Sequence, residues 1–213
     1  MKSDHDKEIA AQIEKLTVPI IDSVSVEEIE NFKPYYERYY ENKYCTAFTS
    51  KTENNDILLR FHSNRLVLVS IAEGHDIIRL KKTIEKISFD VQGTNMLEIK
   101  ISGKKKAGAK KLKKDSILCY IKCKEDDKEY PIYACLPASL IEVNQLVINE
   151  PQLAVSSNKE LGYIAVLFPQ CFGPKAESMD KMIAKLDFLT EDQYKKYLDS
   201  STSNIIESGK ANE

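Results

Sequence analysis

The sequence predicts a mainly β fold, a sandwich or barrel carrying short flanking helices. Three observations predict it. Hydrophobic segments of strand length recur between Asp56 and Phe168, at intervals of roughly 8 to 15 residues. Gly, Asn, Asp and Lys clusters bound them, and no helical period separates one from the next, which argues against parallel strands joined by helices. Helical patterning is confined to the two ends. A length of 213 residues, 42% apolar and 30% charged, suits one domain with tails.

Ile9, Ile13 and Leu16 form a narrow apolar stripe at helical spacing, stopped by Pro19. Pro34 then opens a tyrosine cluster. The spacing of Tyr35 with Tyr39, and of Tyr36 with Tyr40, predicts a short helix lying on the core. Ile57–His62 and Arg65–Ile71 flank the turn-prone pair Ser63-Asn64 and predict a hairpin. Further strands are predicted at Ile84–Val91, Met96–Ile101, Ser116–Lys122, Tyr130–Cys135, Ala138–Val143 and Tyr163–Phe168. Thr190 and Gln193 have the spacing of a capping box, with Leu189, Tyr194 and Leu198 as the apolar face of the helix they open. From Ser200 the Ser-, Thr- and Asn-rich composition predicts a disordered tail.

The formal charge of −2 excludes the bulk basicity of a dedicated nucleic-acid binder, yet it hides an uneven distribution. Residues 1–43 carry a balance of −4, residues 44–169 a balance of +4, and residues 170–213 a balance of −2. The positive centre is concentrated at Lys100, Lys104, Lys105, Lys106, Lys110, Lys111, Lys113 and Lys114, eight lysines in fifteen residues. Such a run is either a solvated turn or an electrostatic footprint for an acidic partner, be it a protein surface, nucleic acid or an import receptor. Lysine without interleaved aromatics or arginine reads bases poorly.

Catalytic and cofactor chemistry finds little support. Gly103 and Gly108 have the spacing of a phosphate loop but lack its Gly-Lys-Ser/Thr ending, and they precede a strand rather than a helix. Cys119 and Cys123 sit on one side of a predicted strand, roughly 13 Å apart, too far to share a zinc ion. With His62, His75 and Cys135 scattered, the five cysteines read as small free thiols, and no metal is expected. No nucleophile elbow, activated thiol context or carboxylate pair in apolar surroundings marks an enzyme. Charges scattered through residues 1–20 leave no signal-peptide core, and no apolar run is long enough to span a bilayer, so the chain reads as cytosolic or nuclear.

Glu142-Val143-Asn144, Pro151 and Gly162-Tyr163 through Pro169 resemble the C-terminal half of the glycine cleavage system H protein, a lipoyl/biotinyl barrel-sandwich fold. Over about residues 35–198 the chain more closely resembles the Simiate (Abitram) family. The residues carrying that resemblance are Tyr35-Tyr36-Glu37-Arg38-Tyr39-Tyr40, His62-Ser63-Asn64-Arg65, Ala72-Glu73-Gly74-His75, Ser102-Gly103-Lys104 with Gly108-Ala109, Glu142-Val143-Asn144 and Gly162-Tyr163-Ile164-Ala165-Val166.

The resemblance implies a mainly β barrel-sandwich hybrid, H-protein-like, with short flanking helices. It implies a non-enzymatic protein without cofactors, binding monomeric and filamentous actin and influencing filament assembly. The expected locations are nuclear speckles, with a transcription-related role, and the actin-rich edges of the cytoplasm. The organisation expected is an acidic helix and linker at 1–34, the domain at 35–198 and a tail at 199–213. Partner contacts are expected at Lys104, Lys105, Lys106, Lys110 and Lys111, with Tyr35, Tyr36, Tyr39 and Tyr40 as an apolar anchor. Two rival expectations stand beside it. One is a nuclear nucleic-acid-associated protein. The other is a lipoyl-type carrier or scaffold subunit, since the H-protein lysine position, seventeen residues before the Asn of Glu-Val-Asn, falls on Asp127, next to Lys128.

Overall fold

A computed structural model describes residues 7–9, 11–13, 25, 27, 31–46, 54–98, 108–170 and 179–209. They fall in two compact units, Met1–Arg38 and Tyr39–Glu213. In the first, residues 7–9 and 11–13 are helical, with Ile9 and Ile13 exposed, and helix α1 spans Tyr35–Arg38. Arg38 lies over the Phe32 ring at 4.5 Å.

The second unit is mainly β. Strands β1 (Tyr40–Cys45), β2 (Ile57–His62), β3 (Val67–Ile71), β7 (Lys111–Leu112), β10 (Ala138–Val143) and β11 (Ala165–Pro169) form an antiparallel sheet in the order β1-β2-β3-β11-β10-β7. Strands β4 (Ile84–Ser88), β8 (Ile117–Cys123) and β9 (Glu129–Tyr133) form a second sheet, and β5 (Asp90–Val91) pairs with β6 (Thr94–Asn95). Short helices α2 (Asp76–Arg79), α3 (Leu146–Asn149), α4 (Leu153–Ser156) and α5 (Met179–Ala184) fill connections, and α6 (Glu191–Gly209) ends the described chain.

Alternation along the strands divides the large sheet into two faces. Cys45, Ile57, Leu59, Phe61, Val67, Val69, Ile71, Ala165, Leu167, Leu140, Ala138 and Leu112 all join one core with Leu118, Ile121 and Ile132 of the smaller sheet. Tyr40, Arg60, His62, Leu68, Val166 and Phe168 occupy the opposite, outer face. The side chain of Asn55 ties the sheets together, its amide donating to the Pro131 carbonyl at 2.8 Å.

Segment 185–198 clasps the β1 edge from both sides. Phe188 packs on the core side beside Phe61, and Leu189 exchanges two backbone hydrogen bonds with Tyr44, both 2.9 Å. The capping box forms as the spacing predicts: the Gln193 amide donates to Thr190 Oγ1 at 3.3 Å and the Thr190 amide to Gln193 Oε1 at 2.9 Å. Helix α6 then lays Tyr194 flat on Tyr44 on the outer side, ring centres 4.0 Å apart. The buried Tyr194 hydroxyl donates to Asp56 Oδ2 at 2.7 Å and accepts from the Gly74 amide at 2.9 Å. A Cβ at Gly74 would stand 2.4 Å from Asp56 Oδ2 and 2.6 Å from that hydroxyl, so glycine is required there.

Four sequence expectations are corrected. The tyrosine helix stops at Arg38, and Tyr40 opens a strand because its partners across the sheet, not its helical spacing, bury it. Met96 begins a 3₁₀ turn, Met96–Glu98, its amide bonding to the Phe89 carbonyl at 3.0 Å; residues 99–107 lie outside the described residues. The Ile84–Val91 strand is broken after Ser88. Helix α6 runs to Gly209 where composition predicts a disordered tail from Ser200: once capped and docked, a helix gains one hydrogen bond per added residue.

Replacing Tyr194 by Phe leaves the Gly74 amide and the Asp56 carboxylate without their shared partner, and is expected to lower stability in urea unfolding by about 2 kcal/mol. The same region sets a pH signature. Burial, against the Tyr194 hydrogen bond and aided by Asp76, raises the Asp56 pKa to about 6. Burial also lowers the His75 pKa to about 4, opposed by Asp76 and assisted by Lys128 and Lys82. A raised carboxylate contributes stability that is lost as pH climbs through its folded pKa; a lowered imidazole contributes stability that is lost as pH falls through its own. Between pH ~4 and ~6 the two contributions oppose each other. Asp56→Asn should therefore grow more stable as pH rises from about 4 to 6.5, and His75→Gln less stable from about 4 to 6, each by up to about 3 kcal/mol.

Candidate functional site: the outer face of the large sheet

Cross-strand partners share a face of a sheet, so the register places the outer residues without further assumption. Tyr40 pairs with His62, Asn42 with Arg60, Arg60 with Leu68, Leu68 with Val166, Val166 with Glu142, Phe168 with Ser139, and Ser139 with Lys111. One continuous face therefore runs from Tyr40 on β1 to Lys111 on β7. Its ends are five inter-strand steps apart, about 24 Å. Helix α6 packs on it at the Tyr44 and Leu58 end. Tyr40, His62, Leu68, Val166 and Phe168 stay half-buried, and Glu142 and Lys111 are exposed.

At the β1 edge the aromatic groups form a ladder. Tyr39 is 51% exposed, with its ring stacked at 6.2 Å on His62. Tyr40 meets His62 edge-on at 4.7 Å. The buried Arg60 guanidinium lies 4.3 Å over the Tyr40 ring and donates to the Lys159 carbonyl. The Asn64 amide donates to His62 Nδ1 at 3.0 Å, and the Leu66 amide to Asn64 Oδ1 at 3.0 Å, so the hairpin turn fixes the imidazole between the tyrosines. Tyr163 donates to Glu142 Oε1 at 3.2 Å, and burial followed by the nearby Glu142 charge pushes its phenol up to about 12.

The opposite edge holds the basic residues. Lys111 donates to Ser139 Oγ at 2.8 Å on the outer face, while Lys110 on the alternate side lines a groove of about 310 Å³ between β7 and the β5–β6 hairpin. Lys104, Lys105 and Lys106 lie outside the described residues. Tyr35 and Tyr36 belong to the first unit, and their side chains are not among those described. Of the nine partner contacts expected from sequence, Tyr39, Tyr40, Lys110 and Lys111 thus fall on the sheet unit, at its two opposite edges. Sequence reasoning missed Arg60, His62, Tyr163 and Phe168 as part of this face, because the register that joins them is long-range.

Other motif residues hold the fold. Asn144, 2% exposed, donates to the Leu161 and Tyr163 carbonyls, each at 2.7 Å, and accepts from the Leu146 amide at 3.0 Å. It thereby locks the connection after β10 onto the two residues flanking Gly162. A Cβ at Gly162 would stand 1.9 Å from the Leu153 carbonyl oxygen. Lys128 sits in the β8–β9 connection, half-buried, with its ammonium 4.6 Å from the Tyr130 ring centre. Lys82 on the neighbouring loop donates to Asp126 and to the Tyr130 hydroxyl, which itself donates to Asp126 Oδ2 at 2.8 Å.

Cys45, Cys119, Cys123 and Cys135 are buried thiols; Cys171 lies outside the described residues. Burial raises the Cys119 pKa and, assisted by Asp126, pushes that of Cys123 up to about 11, which suits packing rather than nucleophilic attack. Cys135, set apart in the sequence, is raised by burial and by a hydrogen bond with Cys45. Among the described residues no group of three or more His, Cys, Asp or Glu side chains could hold a metal ion.

No family model matches the sequence. Among individual proteins, Protein Abitram of Danio rerio is 33% identical over 163 residues, covering 76% of this chain and 87% of that one. Protein Abitram of Drosophila melanogaster is 28% identical over 191 residues, 90% of this chain and 80% of its own length. The Dictyostelium discoideum protein of the same name is 33% identical over 135 residues, 62% of this chain and 74% of that one. Of solved structures, a glycine cleavage system H protein from Mycobacterium marinum aligns with a TM-score of 0.44 at 10% identity, covering 71% of this chain and 92% of that one. On the identity and coverage of these relatives, the chain belongs to the Abitram family.

Proposed function

We propose that this chain is a non-enzymatic actin-binding protein that docks monomeric and filamentous actin through the outer face of its large sheet and so modulates filament assembly. It works at actin-rich edges of the cytoplasm and in nuclear speckles, where the role is transcription-related. The observation that carries the reading is the placement of Tyr40 and Lys111 on one face of one sheet, at its opposite edges. A face about 24 Å across is too wide for a small molecule to engage at both ends and suits a protein surface. Tyr39 and Tyr40 supply large aromatic area with few rotors, as interface anchors do. Lysines at the far edge complement an acidic surface and speed encounter with it. Family membership supports the same reading, since the sequence motifs of that family are the ones that build this face and its supports.

Co-sedimentation tests it. Tyr39→Ala, which removes a half-exposed ring, and Lys111→Glu are each expected to weaken binding to filaments about tenfold, the second more strongly at low salt. Raising the salt should release wild-type protein. Pelleting that ignores both substitutions and the salt, or protein that stays in the supernatant throughout, would overturn the reading.

A further inference from the structure

We infer that β7 and the groove beside it form an acceptor for an extended acidic peptide, added as a further strand at the lysine-bearing edge of the large sheet. The inference builds on the lysine edge as a contact for an acidic partner and specifies the form that contact takes.

Strand β7 ends the sheet order, and among the described residues its outward side has no neighbouring strand. The Leu140 amide donates to the Lys110 carbonyl at 2.9 Å, which turns the main-chain groups of Lys110 and Leu112 toward β10. By the antiparallel alternation, Ala109 and Lys111 turn theirs away from the sheet, ready for another backbone. That edge opens on the groove of about 310 Å³, walled by Val91, Thr94 and Met96 on one side and by Lys110, Leu112 and Ile117 on the other. The Gln92-Gly93 turn, with φ of 53° and 75°, bends the opposing hairpin sharply and holds its wall in place.

Charge chooses the occupant. Lys110, Lys111, Lys113 and Lys114 crowd this edge, and within residues 108–116 the one acid is Asp115. Lysines on an edge strand discourage pairing with another basic or apolar strand, including a second copy of the same edge. An acidic strand escapes that repulsion and gains the charge pairing, so the feature that protects the edge also makes it selective. Alternate side chains of the incoming strand would enter the groove while the intervening carboxylates meet the lysines. Single-stranded nucleic acid fits less well: among the described residues the groove is walled by no aromatic ring on which a base could stack, and its cation, Lys110, is a lysine rather than an arginine.

The test is fluorescence anisotropy with the full chain and a labelled peptide of alternating glutamate and valine. Binding is expected, weakened about tenfold by Lys113→Glu at an exposed position and about tenfold by Thr94→Trp, which fills the groove from an exposed hairpin site. Amide exchange at Ala109 and Lys111 should slow in the complex. A peptide with proline at its centre, which cannot complete the backbone ladder, should bind at least tenfold more weakly. Equal binding of the proline peptide, tighter binding of a polyuridine oligonucleotide, no effect of either substitution, or no binding would each overturn strand addition. Actin pelleting that still depends on Tyr39 and Lys111 while the peptide fails would reject this inference and leave the outer-face reading intact.

Discussion

The stack of Tyr194 on Tyr44 decides where the C-terminal helix lies, and through that, how much of the large sheet remains open. The hydroxyl of Tyr194 bridges the Asp56 carboxylate, just before β2, and the Gly74 amide, just after β3, which would otherwise be buried without that partner. The contact is possible because residue 74 has no side chain. It fixes α6 over Tyr44, Leu58 and Ala72, while Tyr40, His62, Leu68, Val166 and Phe168 on the same face are half-buried. An outer face covered along its whole length would offer a partner nothing. One with no helix on it would expose Tyr44 and Leu58 to water, at a cost of roughly 1.5–3 kcal/mol for each large side chain. The structure lies between the two, with Tyr40, His62 and Phe168 half-buried and Lys111 exposed on the rest of the face.

Most family motif residues described here are accounted for by this architecture. Gly74 makes room for the Tyr194 hydroxyl, and the neighbouring His75 caps α2, its Nδ1 accepting from the Ile77 amide at 3.1 Å. Asn144 and Gly162 lock together the connections that follow β10 and precede β11. His62 and Asn64 shape the β2–β3 turn and, through it, the tyrosine ladder.

Much of the fold was legible in the sequence because it depends on local signals. The period-two alternation of Ile57–His62, the Ser63-Asn64 turn and the Thr190/Gln193 capping box each act within a few residues, and each forms as its spacing indicates. Tyr40 reads as helical beside Tyr36 but is claimed by His62 and Arg60 across the sheet. Met96 reads as the start of a strand but bonds back to Phe89 in a turn. The candidate site was legible only as pieces. Tyr39 and Lys111 were visible as residue types, while the face that joins them, with Arg60, Val166 and Phe168, exists only through pairings up to a hundred residues apart in sequence. The nearness of Cys135 to Cys45 was hidden for the same reason.

The account stands on the outer face being the docking surface, and an amide hydrogen-exchange footprint of the chain on monomeric actin tests that most directly. Slowed exchange is predicted across the sheet at Tyr40, His62, Leu68, Val166 and Phe168, with the β8–β9 connection at Lys124–Lys128 unchanged. A footprint confined to that connection, or exchange that actin leaves unaltered on the outer face, would contradict it.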